Sequence, residues 1–264
     1  MIDLWNPGTF NAELKRTLTA ESQLIFDYYS EDQRLMDEHL NSSPYQKLKP
    51  NRFSADFFSF REYELTPILA GCRIRAWHYA RLLDHEVAAM QQGLVPSSLE
   101  FLKKRLNDLV AMNLLSQEEA DKVFLYSPFQ SQEAIRPGRF WIVTLPLHYS
   151  DKGVLPLLGS WGGESAYFRL SDKALANKLG NLGMSRILEI GAALSDGHNA
   201  FSVSSTVLEA WAKKLGVPMV PTGCDLAITN SLGTAKLVRV HTKGESTFAT
   251  ISKTYPKGVS EKII

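Results

Sequence analysis

The spacing of apolar residues changes along the chain, from a helical period to the alternation that is typical of strands. Residues 11–40 and 98–113 each carry an apolar stripe at helical spacing, and residues 202–215 repeat it later. Ser116 and Glu119 have the spacing of a capping box, which predicts a short helix directly after Ser116. The pattern therefore predicts a chain whose first half is mainly helical.

Strands are predicted where aromatic and β-branched residues cluster. The predicted strands cover residues 73–82, 138–147, 164–170, 186–194, 225–229, 235–241 and 247–252. Because most helices come early and most strands come late, the pattern favours an α+β fold over a regular alternation of strands and helices.

The first predicted strand passes directly into a helix. Asp84 has the side chain of a good N-cap, and Gly93 is a typical stop after the last turn. Within the strand, Arg73, Arg75 and Arg81 fall at odd positions and His78 at an even one. The arginines should therefore point to one face of the strand and His78 to the other. This alternation favours a solvated or nucleic-acid-facing role for the arginines.

Composition and charge change this picture little. The chain of 264 residues is 44% apolar and 22% charged, as in an ordinary globular protein, and its net charge is +1. Residues 1–66 hold 11 acidic and 7 basic side chains, whereas residues 231–264 hold 6 basic and 2 acidic ones. The asymmetry fits either two faces of opposite charge or a scatter, and the basic end makes nucleic acid a candidate partner.

Several classes of protein are disfavoured by missing motifs. Cys72 and Cys224 form no C-x-x-C pair, so no zinc or redox site is expected. The glycine patterns of nucleotide-binding loops and of the hydrolase nucleophile elbow are absent. No signal-peptide pattern opens the chain, and no apolar run approaches the roughly 18 residues of a membrane span. We therefore expect a cytoplasmic protein without a metal or a membrane partner.

The sequence Trp-His-Tyr-Ala-Arg at residues 77–81 is followed by the predicted helix and then by a Gly-Leu pair. This order resembles the first NAD-binding segment of the ADP-ribosyltransferase fold, in the branch of diphtheria toxin and the poly-ADP-ribose polymerases. The resemblance implies that His78 holds the adenosine ribose of NAD, with Tyr79 and Arg81 also at the NAD site. Tyr79 and Ala80 stand where that branch has Gly and Thr.

Two later segments resemble the same fold in the same order. Residues 137–141, Pro-Gly-Arg-Phe-Trp, are similar to the family's second strand, which supplies an aromatic ring that stacks on nicotinamide. This implies Trp141 or Phe140 as the stacking residue, with Thr144 nearby. The resemblance also implies a split antiparallel β core with a helical insertion over residues 69–264, preceded by a mainly helical extension over residues 1–68.

Two acids compete for the catalytic position. The family's catalytic Glu begins the penultimate strand, a position that Asp225 occupies here. Glu164 follows a Trp-Gly-Gly turn, which lets the backbone approach a ligand closely. Either carboxylate would stabilise the positive charge that develops on ribose as nicotinamide leaves, as in glycoside hydrolysis.

The resemblance implies a mono-ADP-ribosyltransferase of the toxin type, which uses NAD as its substrate. Its macromolecular acceptor is expected to be nucleic acid rather than protein, and a toxin acting in its own cell implies an antitoxin and a role in antiviral defence. A tRNA 2′-phosphotransferase-like enzyme that also uses NAD is one alternative. A catalytically inactive binding module of the same fold is another.

Overall fold

A computed structural model describes residues 1–41, 47, 49–132, 137–194, 197–229, 233 and 235–251. The helices in chain order are α1 (Ala12–Ala20), α2 (Ser22–Leu40), α3 (Ser54–Phe60), α4 (Thr66–Ala70), α5 (Asp84–Gln92), α6 (Leu99–Ala111), α7 (Gln117–Tyr126), α8 (Leu155–Gly159), α9 (Glu164–Tyr167), α10 (Lys173–Asn181), α11 (Gly197–Lys214) and α12 (Ser246–Ile251). None of these described helices has the length and the apolar character that crossing a membrane requires.

The described strands form one five-stranded sheet. They are β1 (Arg73–Leu82), β2 (Phe140–Val143), β3 (Met184–Ala193), β4 (Asp225–Ile228) and β5 (Lys236–Thr242). Their order across the sheet is β4-β2-β1-β3-β5, and β2 pairs antiparallel with both β1 and β4, as β5 does with β3. Helices together with this antiparallel sheet confirm the α+β class.

Two predicted strands are wrong. Residues 164–170 instead begin with helix α9, and residues 247–252 fall mostly on helix α12. Both segments are short runs of aromatic and β-branched residues, whose preference for strands is weak and is overridden by their packing. The predicted cap at Asp84 is also wrong, because α5 already includes Asp84 and its cap is Leu83, whose N–H donates to the Glu86 carboxylate at 2.8 Å.

The contacts between residues divide the chain into two compact units. The first combines Met1–Arg75 with Ala193–Cys224, and the second combines Ala76–Ala192 with the described residues from Asp225 onward. The first unit thus includes α11 as well as the predicted N-terminal extension, whose boundary at residue 68 stays a prediction.

The first unit is held together by aromatic packing between its helices. Tyr28 on α2 stacks on Phe57 on α3 with ring centroids 3.6 Å apart. Trp211 on α11 stacks on Phe10 and donates its indole N–H to the Ser22 hydroxyl at 3.1 Å. Since buried aromatic rings contribute much apolar area, these contacts tie α11 to the helices of the first seventy residues.

The second unit carries a helical core beside its sheet. This core is formed by the buried residues Leu102, Leu106, Leu109, Leu115, Ala120, Val123, Phe129, Trp161, Ala166, Leu175, Leu179 and Leu182. The capping box at Ser116 and Glu119 is confirmed: the Ser116 hydroxyl accepts from the Glu119 N–H at 3.1 Å, and the Glu119 carboxylate accepts from the Ser116 N–H at 2.7 Å. The cap fixes the start of α7, which packs against α6 and α9.

Gly183 determines how closely the end of β1 approaches the start of β3. Its φ is +64°, and a Cβ built on it would lie 2.4 Å from the carbonyl oxygen of Leu82. That oxygen belongs to the backbone and cannot move aside as a flexible side chain would. Any larger residue at this position would therefore push the two strands apart.

Candidate functional site

The three strands that carry the predicted site residues are neighbours in the sheet. Trp77 on β1 pairs with Val143 on β2, and Val143 pairs with Asp225 on β4. The three residues therefore form one row across β1, β2 and β4. This adjacency brings His78, Phe140, Trp141 and Asp225 into one region of the second unit.

His78 is half-buried and held in one orientation. Its Nδ1 lies 2.8 Å from the backbone carbonyl oxygen of Trp141, and its ring stacks on Phe140 with centroids 4.7 Å apart. Since a carbonyl only accepts hydrogen bonds, Nδ1 carries the proton, which leaves Nε2 of the neutral ring as an acceptor. Burial lowers the pKa of the His78 imidazole; the Trp141 hydrogen bond opposes this shift, and the positive charge of Arg105 adds to it.

The predicted site residues divide between the two faces of the sheet. Side chains paired directly across antiparallel strands point to the same face, and successive residues alternate. Asp225 therefore shares a face with Val143 and with Trp141, two positions away, which we call the Trp141 face. His78 follows Trp77 and stacks on Phe140, so both lie on the opposite side, which we call the His78 face.

Three of the predicted NAD contacts are buried or bound to backbone. Tyr79 is buried, and its hydroxyl accepts from the Leu147 N–H at 2.7 Å and donates to the Leu147 carbonyl at 3.1 Å. Arg81 donates from Nε to the Leu182 carbonyl at 2.7 Å, and burial lowers its pKa. Thr144 is fully buried just after β2.

The prediction that the arginines of β1 are solvated is wrong for two of them. Arg81 is bound to a backbone carbonyl, and Arg75 forms an ion pair of 3.0 Å with the buried Asp3. Their guanidinium groups are used to hold neighbouring segments in place. Arg73 is exposed.

Glu164 lies at the first position of α9, after a turn that glycine makes feasible. Gly162 and Gly163 have φ of +80° and +56°, and a Cβ on Gly162 would lie 2.7 Å from the Cβ of Ala166. The Ser165 hydroxyl donates to the Gly162 carbonyl at 2.6 Å and closes the turn. The two glycines therefore serve the turn itself, whatever ligand lies nearby, and Glu164 is left half-buried at its end.

A buried carboxylate that the sequence analysis missed joins three segments behind this turn. Glu86 on α5 accepts hydrogen bonds from the Leu83 N–H at 2.8 Å, from Arg105 Nε at 2.7 Å and from the Trp161 indole N–H at 3.0 Å. The Arg105 guanidinium also lies 4.5 Å from the centre of the Trp161 ring. We call these three side chains, Glu86, Arg105 and Trp161, the Glu86 cluster.

The Glu86 cluster connects the region of His78 to the Glu164 turn. The positive charge of Arg105 lowers the pKa of His78, and Trp161 forms a β-bridge with Arg81, three residues after His78. Glu164 follows Trp161 by three residues. One signal could have revealed the cluster, because Arg105 interrupts the apolar stripe of α6 formed by Leu102, Leu106 and Leu109, and a charge on a buried stripe needs a partner.

Asp225 is exposed at the start of β4. Partial burial of the carboxyl raises its pKa above the usual aspartate value. The residue lies diagonally across from Trp141, because Trp141 pairs with Ala227 two positions along β4. Asp225 therefore belongs with Trp141 and is separated by the sheet from the ring of His78.

A second buried pair lies at the other side of the sheet. Nε2 of His241 on β5 is 2.8 Å from Oε1 of Glu189 on β3, and both residues are buried. Because the two side chains join β3 to an edge strand, the pair stabilises the sheet at a position away from β2 and β4. The sequence analysis missed this pair as well.

The geometry allows binding of a polar ligand beside the His78 ring and of a flat ring against Trp141. Among the described residues, no group of three or more histidine, cysteine or acidic side chains is arranged to hold a metal ion. Comparison with known proteins finds no matching family model, no matching curated protein and no matching solved structure.

Proposed function

We propose that this protein is an NAD-dependent mono-ADP-ribosyltransferase whose NAD site lies on the His78 face. The observation that carries the proposal is the orientation of the His78 ring, with Nδ1 bound to the Trp141 carbonyl and Nε2 left as an acceptor. A neutral imidazole acceptor suits a ribose hydroxyl, which has a proton to donate.

The arrangement of the strands supports the same proposal. The resemblance implies that the histidine strand, the aromatic strand and the strand of Asp225 are neighbours, and β1, β2 and β4 are adjacent in the described sheet, although the Asp225 side chain points to the face opposite His78. Tyr79, the bulky departure from the family pattern, has its hydroxyl bound to the Leu147 backbone, and the alternation along β1 directs it away from His78. It therefore leaves room for ribose beside the His78 ring.

Glu164 is the better candidate for the catalytic carboxylate. Its turn is anchored through Trp161 to the Glu86 cluster, which includes the cation Arg105 that lowers the pKa of His78, whereas Asp225 points to the face opposite His78. In the proposed reaction, the bond between ribose C1′ and nicotinamide breaks, and nicotinamide leaves with the electron pair of that bond. The Glu164 carboxylate stabilises the cationic ribose and takes the proton of the acceptor nucleophile, which forms the new bond to C1′.

The acceptor and the biological setting follow from the sequence and remain part of the proposal. We infer a toxin that modifies nucleic acid rather than protein and that is controlled by an antitoxin. The basic segment behind the nucleic-acid preference covers residues 231–264, of which residues 231, 232, 234 and 252–264 lie outside the described residues.

The test is release of nicotinamide from NAD by the purified full-length protein. His78→Ala should reduce this release by at least about tenfold, because it removes one hydrogen bond to ribose and the ring that covers Phe140. His85→Ala is the matched control, since His85 is an exposed histidine on α5 and should release nicotinamide like the unmodified protein.

The proposal fails if the folded protein releases no nicotinamide above the uncatalysed rate, in the presence of either RNA or single-stranded DNA. The placement of the NAD site at His78 fails if His78→Ala and His85→Ala turn over NAD equally. Equal melting temperatures of the two variants would establish that both are folded, so that the comparison concerns chemistry alone.

A further inference from the structure

Trp141 is exposed although it lies in the middle of a strand that has neighbours on both sides. Its side chain is 43% accessible, while Phe140 and Ile142 on either side of it are buried on the other face. Its partner across the sheet on β4 is Ala227, whose side chain is too small to cover an indole ring. The ring therefore keeps exposed surface on which a planar ligand can stack.

A cation lies over this ring. The Arg139 guanidinium is 5.7 Å from the centre of the Trp141 ring, and no described carboxylate forms an ion pair with it. The Arg139 backbone is held in place, because its carbonyl accepts from the Ser97 N–H at 2.9 Å and Gly138 donates back to Ser97 at 2.8 Å. The backbone that carries Arg139 is therefore ordered before a ligand binds.

An acceptor group completes the surface. Asp225 lies on the same face, diagonally across from Trp141, at a spacing of about 7–8 Å that long and aromatic side chains bridge. Its carboxylate accepts hydrogen bonds, whereas the arginine donates them. A ligand for this face therefore presents a flat aromatic body, an anionic group toward Arg139 and an amino group toward Asp225.

A nucleotide with an unpaired base has all three features. Exposed aromatic rings stack on bases of single strands, arginine binds the phosphate between them, and carboxylates accept from the amino group of cytosine or guanine. We propose that Arg139, Trp141 and Asp225 form a binding platform for one base of a single-stranded nucleic acid, the acceptor of the transfer reaction. The binding itself is independent of catalysis, but its assignment as acceptor binding rests on the proposed function.

The platform also accounts for the division between the two faces. NAD bound beside His78 and a base bound against Trp141 occupy opposite sides of three strands, of which β4 is the edge strand. An extended polynucleotide that reaches both sides passes around β4, so the nucleotide on the platform would anchor the strand and a nucleotide several positions away would meet NAD.

The experiment measures binding of a fluorescein-labelled single-stranded oligonucleotide of mixed sequence, as RNA and as DNA, by fluorescence anisotropy at two salt concentrations. Trp141→Ala should weaken binding by about tenfold or more, because one stacked base is lost. Arg139→Gln should weaken binding and reduce the salt dependence by about one counterion, since one phosphate contact is lost. Phe168→Ala and Arg169→Gln are the matched controls, because both residues are exposed in the same unit.

The platform is refuted if the unmodified protein binds neither oligonucleotide, or if Trp141→Ala and Arg139→Gln bind like the two controls. Capture of a protein acceptor with unchanged oligonucleotide binding in Trp141→Ala would refute it equally. Nicotinamide release, measured in the same preparations, separates the two proposals. If binding depends on Trp141 but no nicotinamide is released, the proposed reaction fails and the platform stands. If nicotinamide is released but binding does not depend on Trp141, the platform fails and the proposed reaction stands.

Discussion

The His78 face and the Trp141 face lie on the two sides of the same three strands, but they differ in what supports them. The His78 ring is held by a hydrogen bond between its Nδ1 and the Trp141 carbonyl and by stacking on Phe140, which is buried. Trp141 and Asp225 are exposed, and the Arg139 guanidinium lies 5.7 Å from the centre of the Trp141 ring. The contrast shows that the same strands carry a half-buried, hydrogen-bonded side chain on one face and exposed side chains on the other.

The largest expected effect comes from removing the buried carboxylate of the Glu86 cluster, whose cation Arg105 lowers the pKa of His78. Glu86→Ala should lower the free energy of unfolding by about 3–5 kcal/mol, because it leaves the Arg105 charge buried without its partner. Urea denaturation followed by tryptophan fluorescence measures this change. Asp225→Ala on the exposed face is the control and should change stability by at most about 0.5 kcal/mol. If the two variants lose the same free energy of unfolding, the buried Glu86 carboxylate matters no more to stability than the exposed Asp225.

The next effect concerns the two acids. Glu164→Gln keeps the size of the side chain and removes its charge, so nicotinamide release should fall by at least about a hundredfold with little change in NAD affinity. Asp225→Asn should be milder, because Asp225 lies on the other face. Steady-state release by both variants, at matched melting temperature, gives the ranking. The reverse ranking would assign the catalytic role to Asp225 and would place the reaction on the Trp141 face.

A smaller effect should appear in the pH dependence of NAD turnover. Burial holds the pKa of His78 below the ordinary histidine value of 6.5, so the ring is neutral at pH 7 and stays neutral somewhat below pH 6.5. Release of nicotinamide should therefore be constant above pH 6.5 and fall as the pH drops through the lowered pKa. The free energy of unfolding should also fall as the pH drops below 6.5, because the histidine of the unfolded chain takes up a proton at a higher pH than the buried His78 does.

pH–rate profiles of the unmodified protein and of Arg105→Gln test whether protonation of His78 causes the fall in activity. Removing the guanidinium charge should move the fall in activity toward higher pH, because Arg105 helps to keep His78 neutral. A profile that falls instead above pH 7, or that does not respond to Arg105, would contradict the role of the neutral ring.

The smallest effect is expected at Asp225 itself. Burial raises the pKa of this carboxyl, so its ionised form is disfavoured in the fold and costs stability once the pH exceeds the raised value. Asp225→Asn should therefore leave the protein as stable at pH 7 or slightly more stable, within about 0.5 kcal/mol. Thermal melts at pH 7 and at pH 4 test the sign, since the gain should be smaller at pH 4, close to the ordinary aspartate pKa of 3.8, and should vanish below it. A marked loss would show that the carboxylate is needed by the fold.

The elements with a strong period could be predicted from the sequence. The stripes over residues 11–40 and 98–113 became α1, α2 and α6, and the capping box at Ser116 gave the start of α7, because these signals are local. The segments at 164–170 and 247–252 failed for the opposite reason. They are short, and the turn at Gly162 and Gly163, both with positive φ, sets the start of α9 against the preference of the segment for a strand.

The candidate site could be predicted only in part. The alternation along β1 correctly separated His78 from the arginines, but the use of Arg75 and Arg81 as internal anchors depends on Asp3 and Leu182, which are distant in sequence. The division between Phe140 and Trp141 required the register of β2, which the sequence leaves open. The Glu86 cluster draws its three members from residues 86, 105 and 161, and no local pattern connects them.

Gly183 has a consequence for the ancestry of this chain. A side chain there would collide with the Leu82 carbonyl, so every descendant that keeps β1 and β3 side by side is expected to retain glycine at this position. Residues that contact a substrate change when the substrate changes, whereas this backbone contact is independent of what is bound. Glycine at this point, one residue before the third strand, should therefore identify distant kin after the catalytic residues have diverged.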